Sequence, residues 1–128
     1  MRLNRIHHVA IICKDYEASK SFYADVLGLQ IINEVYREER DSYKLDLAVG
    51  ETYQIELFSF PDPPKRSSFP EAAGLRHLAF EADNVEEVAE ELCKKGVSVE
   101  EIRIDPITGR KFTFFQDPDG LPLEIYGK

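Results

Sequence analysis

Apolar and polar positions along this chain fall into a pattern that is written twice. The run Ile6-His7-His8-Val9-Ala10-Ile11 opens the first half, and Leu75-Arg76-His77-Leu78-Ala79-Phe80 opens the second. Each is apolar on both sides of a histidine, which predicts a buried β-strand. A capping residue follows, Asp15 or the pair Asp83-Asn84, and then apolar positions at helical spacing. Ala18, Phe22 and Val26, with Tyr23 and Leu27, predict one helix face, closed by Gly28. Val85, Val88, Ala89, Leu92 and Cys93 predict the other, closed by Gly96 after Lys94 and Lys95. Glycine just past a helix supplies the left-handed residue at its end, and cations in the last turn suit the helix dipole.

Short strand-like runs and turns complete each half. A hairpin is expected from Ile104 to Phe115 around Asp105-Pro106-Ile107-Thr108-Gly109, and the turn Asp117-Pro118-Asp119-Gly120 leads into a last strand, Leu121 to Tyr126. The halves also end alike, in Gln54-Ile55-Glu56-Leu57-Phe58 and Pro122-Leu123-Glu124-Ile125-Tyr126. The histidines at 8 and 77 are 69 positions apart and the glutamates at 56 and 124 are 68 apart, so the repeat keeps its register. Between the halves, Pro61, Pro63, Pro64 and Pro70 with Ser67 and Ser68 predict a linker. The expected organisation is one domain over residues 1–128, with module one at about 4–60, a linker at about 61–73 and module two at about 74–127.

Composition narrows the function classes. The chain has 128 residues, 43% hydrophobic and 31% charged, as expected of one globular domain. Sixteen Lys and Arg against 24 Asp and Glu give a net charge of −8, which repels phosphate backbones and anionic lipid heads. Nucleic acid and membrane are therefore not expected partners. The early apolar run Val9 to Cys13 is too short for a signal-peptide core or a membrane span, and a cytoplasmic location is expected. Cys13 and Cys93 are expected as reduced packing residues, since neither lies in an activating motif.

Candidate chemistry comes from the repeat. Alone, a histidine in an apolar strand is a structural residue, and a glutamate between aliphatic residues faces water. Residues two apart share a strand face, so Gln54, Glu56 and Phe58 line one side, as do Pro122, Glu124 and Tyr126. If two copies of one module pair about a pseudo-twofold axis, His8, Glu56, His77 and Glu124 converge. Burying two carboxylates uncompensated is costly, and a divalent cation resolves it by taking two imidazole nitrogens and two carboxylate oxygens. An N₂O₂ set without thiolate suits Zn, Ni, Co, Fe or Mn.

The ordered motifs His-Val-Ala-Ile, Gly-Leu after the helix, Ile-Glu-Leu, His-Leu-Ala-Phe and Asp-Pro-Asp-Gly before Leu-Glu-Ile carry a resemblance from about Ile6 to Tyr126. The chain resembles the vicinal oxygen chelate superfamily, specifically its glyoxalase I-like members. The resemblance implies an α+β fold of two paired βαβββ modules forming a curled mixed sheet around a metal site. It implies one divalent metal ion held by His8, Glu56, His77 and Glu124. It also implies metal-assisted proton transfer on a small-molecule substrate such as a hemithioacetal. Glu124 is then the first choice for the proton-abstracting base and Glu56 the second. His7 matches no ligand position, and its side chain is expected on the face opposite His8. Modules in this superfamily pair within one chain or across a dimer, and a homodimer is expected.

Departures from the glutathione-using pattern shape the substrate expectation. The arginine that similar bacterial glyoxalase I enzymes carry four positions after the first histidine is Ile12 here, and their asparagine four positions after the first-module glutamate is Phe60. Glutathione is therefore expected to be a poor co-substrate. Arg110, Lys111, Arg37 and Arg40 are candidates for holding an acidic substrate, against the plainer reading of solvated surface. Phe112, Phe114 and Phe115 fall on both strand faces, so some are expected in the core and one beside the site. Competing readings are an epimerase, a thiol transferase, a ring-cleaving dioxygenase or a non-catalytic small-molecule binder. The acid at position 56 favours the glyoxalase-like one.

Overall fold

A computed structural model describes all of residues 1–128. The chain divides into two units, Met1–Pro64 and Lys65–Lys128. The first contains β1 (Val9–Cys13), α1 (Tyr16–Ser21), β2 (Gln30–Arg37), β3 (Ser42–Val49) and β4 (Thr52–Ser59). The second contains β5 (Leu78–Ala82), α2 (Val85–Lys94), β6 (Arg103–Ile104), β7 (Lys111–Gln116) and β8 (Pro122–Gly127). Each is a βαβββ module with a four-stranded mixed sheet, ordered β1-β4-β3-β2 and β5-β8-β7-β6. In each, the first strand runs parallel to the last and the other pairings are antiparallel. This is the expected α+β class, and neither sheet closes on itself.

The capping chemistry is as read from sequence. Asp15 accepts from the Ala18 amide and Asn84 from the Glu87 amide, each satisfying a donor that the helix start leaves free. Gly28 and Gly96 take φ of 71° and 83° where the two helical segments stop. α2 buries Val85, Ala89 and Leu92, while Cys93 is exposed, contrary to its expected place in the apolar face. α1 departs further. After Ser21 it widens into a π-helical turn, Phe22–Val26, in which the Leu27 amide reaches back to the Phe22 carbonyl. Tyr16, Ser19, Phe22 and Tyr23 are buried, and Ala18, expected in the apolar face, is exposed.

Strand alternation then divides each sheet into a covered and an open face. In the first unit Ile11, Cys13, Leu45, Leu47, Ile55 and Leu57 are buried. Tyr16 stacks on Tyr43 and donates to Glu34 at 2.5 Å, which ties α1 to β2 and β3. The opposite face carries Ala10, Ile12, Asp46, Glu56 and Phe58, and Ile12 there is 56% exposed. In the second unit Thr113, Phe115, Leu123 and Ile125 are buried, while Phe112 and Phe114 alternate onto the other face with Glu124.

α2 begins very close to β8. A Cβ on Gly127 would come within 3.1 Å of the Lys111 carbonyl oxygen and 3.3 Å of Val85 Cγ2. The equivalent place in the first unit, the last residue of β4 opposite the last residue of β1, is Ser59. Its hydroxyl accepts from the Tyr43 amide at 2.9 Å.

The proline-rich stretch is partly ordered by a side chain. Arg66 donates to Ser68 Oγ and to the carbonyls of Leu75 and Arg76, and so folds residues 66–76 back on themselves just ahead of His77. No helix is long and apolar enough to cross a membrane.

Candidate metal centre

The sheet registers place one His–Glu pair in each unit, in the same way. Glu56 lies opposite Ala10, two residues after His8, and Glu124 lies opposite Ala79, two residues after His77. His8 Nε2 is 2.9 Å from Glu56 Oε2, and His77 Nε2 is 3.0 Å from Glu124 Oε2. Both glutamates are buried, at 7% and 8% exposure, between core aliphatic residues that fix their strands. Both histidines are more open, with side chains 40% and 32% exposed.

The histidines do not lie inside their strands, as the apolar flanks suggested. β1 begins at Val9 and β5 at Leu78, so each histidine is the residue just before. The pleat therefore does not dictate where His7 points. Its Nδ1 is 2.9 Å from His8 Nδ1, which puts the two rings together rather than on opposite faces. Tyr53 closes this corner, its ring 5.5 Å from that of His7 and 6.1 Å from that of His8. Sequence reasoning passed over Tyr53, because a tyrosine two residues into a strand carries no metal-ligand signature.

The neighbours of the two glutamates differ. Across β3, Glu56 faces Asp46, and Lys44 lies 2.7 Å from Asp46 Oδ1 and 3.5 Å from Glu56 Oε1. Burial alone would push the Glu56 carboxyl up. Hydrogen bonding from Tyr53 and the charges of Lys44 and His8 outweigh this and hold it below the usual carboxylate range. Tyr53 is pushed well up, first by burial and then by that bond and the nearby carboxylates. Glu124 instead faces Phe114 across β7, and the Phe114 ring meets His77 edge-on at 5.1 Å. Phe112 follows on the same face, with the Arg103 guanidinium 4.9 Å above it.

No group of three or more His, Cys, Asp and Glu side chains is spaced to hold a metal ion, so each pair is a two-donor set. The donor chemistry of the two pairs fits a divalent ion. An imidazole nitrogen and a carboxylate oxygen face each other across one proton, where a cation can take the proton's place. Of the basic candidates, Lys111 is paired with Glu86 and Arg110 is exposed in the β6–β7 loop. Arg37 lies on the same unit as His8, over the ring of Phe58.

The chain is similar to known proteins over nearly its whole length. The chain is 62% identical to the Bacillus subtilis protein YwkD over 98% of both chains, and 57% identical to the Escherichia coli protein YaeR over 97% and 96%. The crystal structure of a glyoxalase family protein from Enterococcus faecalis superimposes with a TM-score of 0.90 at 47% identity, covering 98% of this chain and 99% of that one. More distant relatives are named for different chemistries. They include a 2-epi-5-epi-valiolone epimerase from Actinomyces sp, 28% identical over 94% of this chain and 77% of that one. Another is the lactoylglutathione lyase of Salmonella typhimurium, 25% identical over 94% of this chain and 90% of that one. The model of the glyoxalase/bleomycin resistance protein/dioxygenase superfamily matches residues 5–125, and the chain belongs to that superfamily.

Proposed function

We propose that this protein is a metal-dependent enzyme of glyoxalase I type, acting by proton transfer on a small hemithioacetal or a related substrate with two neighbouring oxygens. The observation that carries the reading is the duplicated His–Glu pair, 2.9 Å and 3.0 Å, in equivalent sheet registers. His8, Glu56, His77 and Glu124 would hold one divalent ion, Zn, Ni, Co, Fe or Mn. Bound there, such an ion supplies Lewis acidity, which polarises a substrate carbonyl and acidifies the adjacent C–H. A small-molecule substrate and a second copy of the chain are the partners in this reading. Exposed Ile12 and Val35, opposite Phe58 and Lys44 in the first sheet, are apolar surface that a second copy could cover.

The chain's own groups divide the remaining work. Glu124 is the base, with Glu56 the second choice. Its Oε2 meets His77, and no other ion pair or hydrogen bond engages its carboxylate, which leaves Oε1 free to receive a proton. Glu56 is held from both sides, by His8 on Oε2 and Lys44 on Oε1, which suits a fixed anchor rather than a proton carrier. Phe114, paired with Glu124 across β7 and edge-on to His77, puts apolar surface beside that carboxylate, and electrostatic interactions are stronger where local polarity is low.

The epimerase reading stays open on the distant relatives alone. The deciding experiment is metal analysis of protein purified without chelator, followed by turnover assays with hemithioacetals of several thiols. About one divalent ion per chain and turnover of at least one hemithioacetal are expected. Full metal content in the His8→Ala/His77→Ala double variant would remove the ligand assignment. Turnover confined to epimerisation of an acid or ester would move the activity to the second reading.

A further inference from the structure

We propose that Arg37 is a recognition site for an oxyanion on the substrate, a carboxylate or phosphoryl group held on the sheet face that carries Glu56. The Arg37 guanidinium lies 4.7 Å from the ring centroid of Phe58 and 5.7 Å from that of Phe60, and Arg40 stands 5.8 Å from Phe60. One nitrogen, Nη2, donates to the buried Ser42 hydroxyl at 2.8 Å, which fixes the plane of the fork. Nε is buried and has no hydrogen-bond partner. No carboxylate pairs with this cation, although the chain holds 24 acidic residues.

That combination points to a ligand rather than to packing. Aromatic faces hold a guanidinium in position without neutralising it, so its edge still offers donors in the fork geometry that carboxylates and phosphates match. With Nε enclosed and Nη2 held by Ser42, an incoming oxyanion would meet the fork at its remaining edge, Nη1. Phe58 is two residues beyond Glu56 on β4, so the cation lies on the same face, roughly 7 Å further along the strand. Ile12 pairs with Phe58 across β1. The apolar residue on β1 is thus paired in the sheet with the residue whose ring carries the cation from the end of β2. A substrate fitting both features is a short acid, its neighbouring oxygens at the His–Glu end and its anionic group a few bonds away.

The assignment rests on the proposed metal chemistry only for where the reacting end lies, and two measurements keep them separate. The first uses the chelator-treated full chain and follows the Arg37 Nε–H signal by nitrogen-15 NMR, assigned by its loss in Arg37→Lys. Succinate or methyl phosphate should shift it saturably while chloride does not, and which of the two acts separates a carboxylate site from a phosphoryl site. The second compares acetohydroxamate with succinic monohydroxamate, a chelator carrying an added carboxylate, on the zinc-loaded chain. The acid should bind about tenfold tighter, the order of one charge-assisted contact. Arg37→Gln should abolish that gap and Arg37→Lys should keep part of it, with folding of both checked by circular dichroism. Failure of both hydroxamates to bind would count against the metal chemistry, and the NMR titration would still decide Arg37. A gap that persists in Arg37→Gln, or an Nε–H signal unmoved by both anions, overturns the assignment.

Discussion

Asp46 lies directly across the β3–β4 ladder from Glu56, two carboxylates side by side on one sheet face. Like charges so placed repel, and Lys44, which touches both, relieves the repulsion. Lys44 therefore has two opposed effects on a metal ion: it keeps Glu56 ionised, and it competes as a cation. Lys44→Met should bind zinc more tightly at pH 8, far above the range in which carboxylates ordinarily take up protons. Its acid loss of metal should begin at higher pH than in the parent, because without the cation Glu56 takes up a proton more readily. Titrations of metal occupancy against pH would show the two curves crossing. Parallel curves would mean that Lys44 acts only on the fold.

Glu124→Gln tests the base. The amide keeps size and one ligand oxygen but cannot accept the proton, so metal should remain while turnover falls on the order of 10²–10⁴, the usual worth of general-base catalysis. Glu56→Gln should show the reverse emphasis, with metal lost more than intrinsic rate. Near-parent turnover by metal-loaded Glu124→Gln would move the base to Glu56.

Glutathione should be a poor co-substrate. Ile12 is 56% exposed on the open face and offers no charge to a peptide carboxylate, and Phe60 lies beneath the Arg37 and Arg40 side chains rather than donating hydrogen bonds. Steady-state assays with methylglyoxal and glutathione should give little turnover. A kcat/KM near about 10⁶ M⁻¹s⁻¹, well within the ordinary enzyme range, would contradict this.

The acid limb of stability should report Glu34. Bonds from Lys20 and Tyr16 hold its carboxyl below the usual range, against burial, which pushes the other way. A group with a lowered folded pKa contributes stability that is present above its unfolded pKa and lost as pH falls through the folded one. Glu34→Gln should therefore be less stable than the parent at pH 7, and its stability should fall less steeply below about pH 4, the unfolded glutamate range. Urea unfolding at several pH values measures both. An equal slope in the two proteins would show that this cluster is fully screened by solvent.

Much of this was legible because the repeat is carried by residues whose roles are local. Asp15, Asn84, Gly28 and Gly96 announce helix ends through their own chemistry, and the near-equal offsets of the histidines and glutamates survive as equal sheet registers. What stayed hidden depends on partners far along the chain. Nothing in the apolar spacing marks the π turn after Ser21 or the exposure of Ala18. His7 turns beside His8 because β1 starts at Val9, three residues after its apolar run begins at Ile6. Arg66 was hidden among prolines, and its bonds to the Leu75 and Arg76 carbonyls join positions that no periodicity links. Arg37 was visible only as one of several basic residues, since its aromatic floor is assembled from another strand.

The contact at Gly127 makes the two modules unequal at one equivalent position. Two copies of one module begin interchangeable, and here one copy ends its last strand in a serine whose hydroxyl holds a neighbouring amide, the other in a residue without a side chain. With α2 set against β8, a larger residue at 127 requires the Lys111 backbone or the start of the helix to give by a few tenths of an ångström. The same exchange therefore has different consequences in the two halves: glycine at 59 would give up the bond to the Tyr43 amide, whereas serine at 127 would push on a neighbouring strand and helix.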